Sequence, residues 1–319
     1  MNTIISEAAR KASARSALGL SLAIVAFMAV APSMLPTYHL SVLTQILIFG
    51  VFAMSIDILA GYAGRTSLGH GAIFGTATYV VLFTVNQYGL PLWAAIILAV
   101  AAATVIAAVF AALAIRTTGV YFLLLTLALG MIVWGICLRW SVVTGGENGI
   151  RGDIRPAEIG DPLSFYYVTL FCTVVLTFAM WRFIRSPFGL TLSGIRDSAG
   201  RMRSLGYDVS LHLFIGFVMS GFFAGLAGAL YALFNNFVSP STVALTQSVT
   251  GLLMAIVGGV GTLFGSLLGS FVIITLENFV SYYTQRWPTV LGLVFIFTMI
   301  FAPAGVLGTI RALRDRRGR

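Results

Sequence analysis

Charge is the scarcest property of this sequence. Asp, Glu, Lys and Arg make up 9% of its 319 residues, whereas a soluble domain carries roughly 25% to keep its surface wetted. An ordinary water-soluble globule is thereby excluded. Cysteine is almost absent: Cys137 and Cys172 both fall inside apolar runs, at depths expected to differ by more than a disulfide spans. They read as small buried hydrophobes. The three histidines, His39, His70 and His212, show no metal-ligand spacing. The chain has no GxxxxGK[ST] phosphate loop and no nucleophile–base arrangement. No catalytic, metal or cofactor-binding residue is therefore expected. The short alternating segments of a membrane β-barrel are missing as well.

What the sequence has in abundance is apolar length. Hydrophobic residues make up 59% of it and mean hydropathy is +0.98. Runs of about 20 apolar residues, each long enough to cross a hydrocarbon layer as a helix, recur along most of the chain. The expected fold is all-α: a polytopic helical membrane protein of about ten transmembrane helices. Their expected positions are Leu18–Leu35, Leu40–Ala60, Leu68–Val85, Leu92–Ile115, Val120–Leu138, Leu163–Trp181, Leu211–Phe234, Val243–Val257, Leu263–Val280 and Thr289–Phe301. The eighth and ninth are interrupted by Gly258, Gly259, Gly261 and Gly265, so a broken or re-entrant helix is an alternative to a full crossing there. Arg10, Lys11 and Arg15 precede the first run, which reaches Leu35 without a small-residue cleavage pattern and reads as a retained span.

The net charge of +9 does not point to nucleic acid, because the basic residues lie between and beyond the apolar runs. With both termini in the cytoplasm, fifteen of the nineteen basic residues fall inside; Arg139, Arg151, Arg155 and Arg286 fall outside. This is the segregation that the positive-inside rule predicts. The chain then divides into a cytoplasmic lead of residues 1–17, one transmembrane domain of residues 18–302 and a basic cytoplasmic tail of residues 303–319.

Two loops are long. The outer one, from Arg139 to Asp161, carries a TGGENG turn, and its carboxylates offset its arginines. It reads as a solvated loop or as part of a docking face for an extracytoplasmic partner. The inner one runs from Arg182 to Ser210. Within it Phe188, Leu192, Ile195, Ala199 and Met202 recur at helical spacing, with Arg196, Arg201 and Arg203 off the stripe. Pro187 is placed to open this helix and Gly206 to cap it. The stripe suits a membrane surface and a groove in a cytoplasmic partner equally well.

Several runs carry a family resemblance: GYAGRTSLGHGAIFG from Gly61, RSPFG…GIRDSAGRMRSLGYDV around the inner helix, FFAGLAGALYALFNNFVSP after it, and IVGGVGTLFGSLLG beyond. Together they resemble the permeases of branched-chain amino-acid ABC importers, and the TGGENGI loop and basic N-terminal extension favour the LivM-type half. The chain departs from the family's pattern at Arg65, where Gln is usual, at Asp57, where Asn is usual, and at Ala199, Arg201 and Met202. The resemblance implies a bacterial inner-membrane heterodimer with a LivH-type permease. It also implies two cytoplasmic ATPases that bind the ATP and Mg, and an extracytoplasmic solute-binding protein. Family substrates are leucine, isoleucine and valine, with relatives that take urea, amides or other amino acids. Phe188, Leu192, Ile195, Arg196, Met202, Leu205 and Gly206 are then expected to couple to an ATPase. The alternative class is a carrier or channel working without ATP.

Polar groups and glycines suggest the path. Gly61, Gly64, Arg65, Ser67, Gly69 and His70 surround an expected helix break and are read as lining or gating the inner end of a solute pathway, because unwound backbone survives at membrane depth only when buried or beside a cavity. Gly258, Gly259, Gly261, Gly265 and Gly269 are read as helix-packing positions. Asp57 and Glu277 are the acids closest to intramembrane placement; each is a functional candidate or an interfacial group.

Overall fold

A computed structural model describes residues 36–284, 286–301 and 305. The first expected span, the N-terminal lead and the basic tail lie outside the described residues. Within them the chain forms α1 (Thr37–Asp57), a π-turn (Ile58–Tyr62), α2 (His70–Tyr88), α3 (Leu92–Ala114), α4 (Val120–Arg139) and a short α5 (Ser141–Thr144). There follow β1 (Ile150–Arg151), α6 (Pro162–Ile184), α7 (Pro187–Ser204), α8 (Val209–Asn235), β2 (Phe237–Val238) and a short α9 (Pro240–Val243). The described chain closes with α10 (Leu245–Gly258), α11 (Leu263–Tyr283) and α12 (Trp287–Phe301). The all-helical expectation holds, apart from one two-residue ladder pairing Ile150 with Val238 and Arg151 with Phe237.

Among the described residues, six helices are long and apolar enough to cross a membrane: α1 with its π-turn, α3, α4, α6, α8 and α11. For the eighth segment the full crossing gives way to the broken-helix alternative. Its helix, α10, has 14 residues, about 21 Å at 1.5 Å per residue, which falls short of a hydrocarbon core of about 30 Å. The ninth, α11, has 21 residues and is long enough. The expected third span is α2, wrapped by neighbours and rich in threonine.

α8 is central, packing on α1, α2 and α3, while α1 also packs on α6 and α11. No hydrophobic force drives helices together in lipid, so close approach matters most. A Cβ at Gly221 or Gly225 of α8 would fall onto Ala107 or Ala103 of α3, and one at Gly228 onto the Phe74 carbonyl of α2. Small residues four apart on α8 thus face small residues four apart on α3. The α10–α11 hairpin follows the same rule: Gly265 and Gly269 lie against the backbone of Gly258 and Met254. Gly261 does not share that stripe. It and Gly259 form the turn, at φ 79° and 116°, values that side-chain-bearing residues rarely adopt.

The outer loop is docked rather than free. Arg155 donates to the carbonyls of Leu233 and Phe234 at the end of α8 (2.9–3.1 Å) and lies over the Phe165 ring. Asn86 of α2 donates to the Arg151 carbonyl at 3.0 Å. Among the described residues the loop's carboxylates form no ion pair; Asp161 caps α6, accepting from Leu163 N and Ser164 N.

Candidate coupling and gating site

The inner helix starts and stops as its residues dictate. Ser186 caps α7 by accepting from Gly189 N, with Pro187 in the first turn. At the other end Gly206, at φ 89°, lets Gly206 N and Tyr207 N close onto the Arg203 and Met202 carbonyls. The single-helix expectation is modified in the middle: Ser198 leaves the helix at φ −163°, ψ 97°. Its hydroxyl accepts from Arg201 N at 3.3 Å, so a local cap competes with helical continuation. The second segment folds back, bringing Met202 Sδ against Gly194.

The apolar stripe faces inward. Leu192 and Ile195 are buried, with Leu192 over Gly216 of α8, while Phe188, Ala199 and Met202 pack on the same core. Neither surface expected for the stripe, membrane or partner groove, is the one it meets. The apolar residues that α7 and its cap leave outward are Leu190 (67% exposed) and Leu205 (66% exposed). Beside them opens a cleft of about 550 Å³ lined by Phe188, Thr191, Gly194, Met202, Tyr207 and His212. The ring of His212 stacks on Phe188 at 5.1 Å.

Arg196 ties α7 to the helix break. Its Nη1 donates to the Gly61 carbonyl at 2.7 Å, and its aliphatic stem covers Gly64. Gly61 in turn lies against Gly261, whose N–H donates to Asp57 Oδ1 at 2.7 Å. Asp57 is fully buried, so it does not reach water in this conformation, and its Oδ2 has no hydrogen-bond partner. Glu277 is half-buried on α11. Arg65, half-buried, donates to the Thr117 carbonyl at 3.1 Å, and burial together with nearby Arg203 lowers its guanidinium pKa.

Deeper in, Ser220 Oγ donates to the Ser55 carbonyl at 2.6 Å and sits 2.7 Å from His70 Nε2. Ser220 has one hydroxyl proton and uses it on Ser55, so His70 must be the Nε2–H tautomer donating to Ser220. Its Nδ1 is buried without a partner. Ser67 and His70 are both buried, and Gly69 and Gly71 are filled by Phe110 and Ser248. Within the break, then, Ser67, Gly69 and His70 are covered by protein, while Gly64 is exposed and Arg65 and Thr66 are half-exposed.

The sequence singled out Arg196, Asp57, Gly61, Gly261 and His70 without showing that they meet. Ser220 and Ser55 were missed; two polar residues at matching depth in neighbouring apolar helices were the available signal. Gly258, Gly265 and Gly269 converge as packing positions, while Leu205 and Gly206 stay outside.

These features define a polytopic helical membrane protein in which α7, the amphipathic helix between two long apolar helices, is bonded to the broken end of α1. Residues 38–303 match the family model described as the branched-chain amino acid transport system / permease component. The chain belongs to that family, whose members are non-catalytic permease components. It is 26% identical to the high-affinity branched-chain amino acid transport system permease protein LivM of Escherichia coli, over 88% of this chain and 72% of that protein. A tyrosine transport system permease protein of Clostridioides difficile is 23% identical over 85% of each chain. An autoinducer 2 import system permease protein, LsrC, of Klebsiella pneumoniae is 27% identical over 45% of this chain and 43% of its own.

Proposed function

We propose that this chain is the LivM-type permease of an ATP-binding-cassette importer in a bacterial inner membrane. With a LivH-type permease it forms the path for branched-chain or related amino acids. An extracytoplasmic binding protein loads the path, and two cytoplasmic ATPases, which hold the ATP and Mg, drive it. The observation that supports this most directly is the Arg196–Gly61 bond: a cytoplasmic helix, itself carrying an open cleft and exposed Leu190 and Leu205, is fastened to the transmembrane break. Displacing α7 displaces Gly61, and with it the contacts to Gly261 and Asp57. In that reading Arg196 is the positioning residue, and the segment from Gly61 to His70 is the gate. Relatives carry tyrosine and autoinducer 2 in their names, so family membership does not fix the solute; in this reading the binding protein selects it.

Reconstitution tests the reading. The chain should co-purify with a second permease and two ATPases, and import a branched-chain amino acid into proteoliposomes only with ATP and the binding protein. Gradient-driven transport by this chain alone would overturn it.

A further inference from the structure

The start of α10 is chemically out of place for a helix facing lipid. Asn86, near the outer end of α2, is held by the outer loop. Counting inward at 1.5 Å per residue, Gly75 lies about 16 Å and Gly71 about 22 Å below it. Val243 and Ser248 sit against these two glycines, and Ser248 Oγ accepts from Gly71 N at 2.8 Å. The first two turns of α10 therefore lie well inside a hydrocarbon layer of about 30 Å.

At that depth Thr246 and, just before it, Ser241 are exposed, while Gln247 and Thr250 are half-exposed. Elsewhere in the bundle Thr44, Thr76, Thr84, Thr104 and Thr169 turn their hydroxyls back onto carbonyls of their own helix. Among the described residues, the side chains of Thr246, Gln247 and Thr250 make no hydrogen bond. An amide facing lipid without a partner costs several kcal/mol, on the order of 4–8 for transfer into a medium that cannot hydrogen-bond. Polar groups and irregular backbone persist at this depth where they are covered by protein or line a wet cavity. The chain enters α10 through the short helix α9, broken from it at Ala244, whose backbone is extended at φ −63°, ψ 159°. No ionisable residue occurs between Pro240 and Gly258.

We propose that Thr246, Gln247 and Thr250, continued by Ser241, form the mid-membrane wall of the solute path, closed on its open side by the second permease, and that this wall passes solutes of no net charge. The inference rests on the permease reading above. Hydroxyls and an amide exchange hydrogen bonds with a zwitterion or an uncharged polar solute as it sheds water. A net ion at that depth would meet no counter-charge from this helix.

The test uses the assembled transporter in proteoliposomes, carrying Thr246→Cys or Thr250→Cys, with Val105→Cys as the lipid-facing control and the unmodified complex as baseline for Cys137 and Cys172. Val105 is 62% exposed on α3. A charged methanethiosulfonate should modify Cys at 246 and 250 at least ~10-fold faster than at 105, since thiol reactivity follows access of water and reagent. That modification should stop uptake. Thiols at 246 and 250 as unreactive as at 105, or reactive without effect on uptake, would overturn the inference. Thr250→Cys is read alone if Thr246→Cys does not assemble. Failure of the permease reading is separate: it appears as absent ATP-driven uptake in the unmodified complex.

Discussion

Arg196 and Gly61, 135 residues apart in the chain, are joined by a 2.7 Å hydrogen bond from guanidinium Nη1 to main-chain carbonyl. Gly61 is where α1 has passed into a π-turn, and such turns free carbonyls that an α-helix would use internally. A side chain from α7 completes that broken end. A Cβ at Gly61 would fall onto Asp57 and Gly261, so three segments converge on one glycine.

If that bond carries motion, Arg196→Ala should leave the complex assembled and its basal ATPase unchanged, while substrate-stimulated ATPase and uptake fall about 10-fold. That loss lies inside the 5–150-fold range of ordinary coupling energies. Arg196→Lys should recover part of it, because a lysine keeps one charged donor without the planar fork. Equal stimulation in Arg196→Ala and the unmodified complex would show that the contact is structural only.

Asp57 holds the N–H of Gly261 with one carboxylate oxygen and leaves the other buried without a partner. Asp57→Asn keeps the acceptor and removes the cost of a buried carboxylate, so the melting temperature of the detergent-purified complex should hold or rise. Asp57→Ala orphans the Gly261 donor, a loss of about 1–3 kcal/mol, and should lower it. If Asn and Ala destabilise alike, the negative charge itself is required, with Arg196 as its counter-ion.

Ser220→Ala would strip partners from both the Ser55 carbonyl and His70 Nε2, deep between α1, α2 and α8. A cost of about 1–3 kcal/mol is expected. Thr104→Ala serves as comparison: its hydroxyl only returns to the Val100 carbonyl, so its melting temperature should move little. Equal melting temperatures for the two variants would remove any special role for the Ser220 junction.

Leu190 and Leu205 project outward from α7 and its cap, whereas Ile195 is 4% exposed. Leu190→Asp with Leu205→Asp should weaken co-purification of the ATPases while the permease pair stays in the membrane. Ile195→Asp should instead destabilise the permease itself, because it buries a carboxylate. ATPase retention in the Leu190/Leu205 variant would move the docking surface off these residues.

Membrane placement, the helical class and the family were all legible in the sequence, because apolar length, charge segregation and ordered motifs are local properties. The cap at Gly206, the start at Pro187 and the break at Gly258–Gly265 were legible for the same reason. The burial direction of the Phe188–Met202 stripe was not. Periodicity shows that residues share a face but not what that face meets, and Ser198 breaks the period midway. The outer loop's attachment through Arg155 and Asn86 was hidden too, since both pair with main-chain carbonyls, which every residue offers.

By itself, then, the sequence determined which stretches are long and apolar enough to enter the membrane and where helices cannot continue. Only the tertiary structure decided that Asp57, Gly61, Arg196 and Gly261 form one junction, that His70 is bonded to Ser220, and that α10 leaves Thr246 exposed and Gln247 and Thr250 half-exposed. The physical reason is range. Hydropathy and turn chemistry act within a few residues, whereas close backbone approach at glycine and the pairing of lone polar groups depend on helices far apart in the chain.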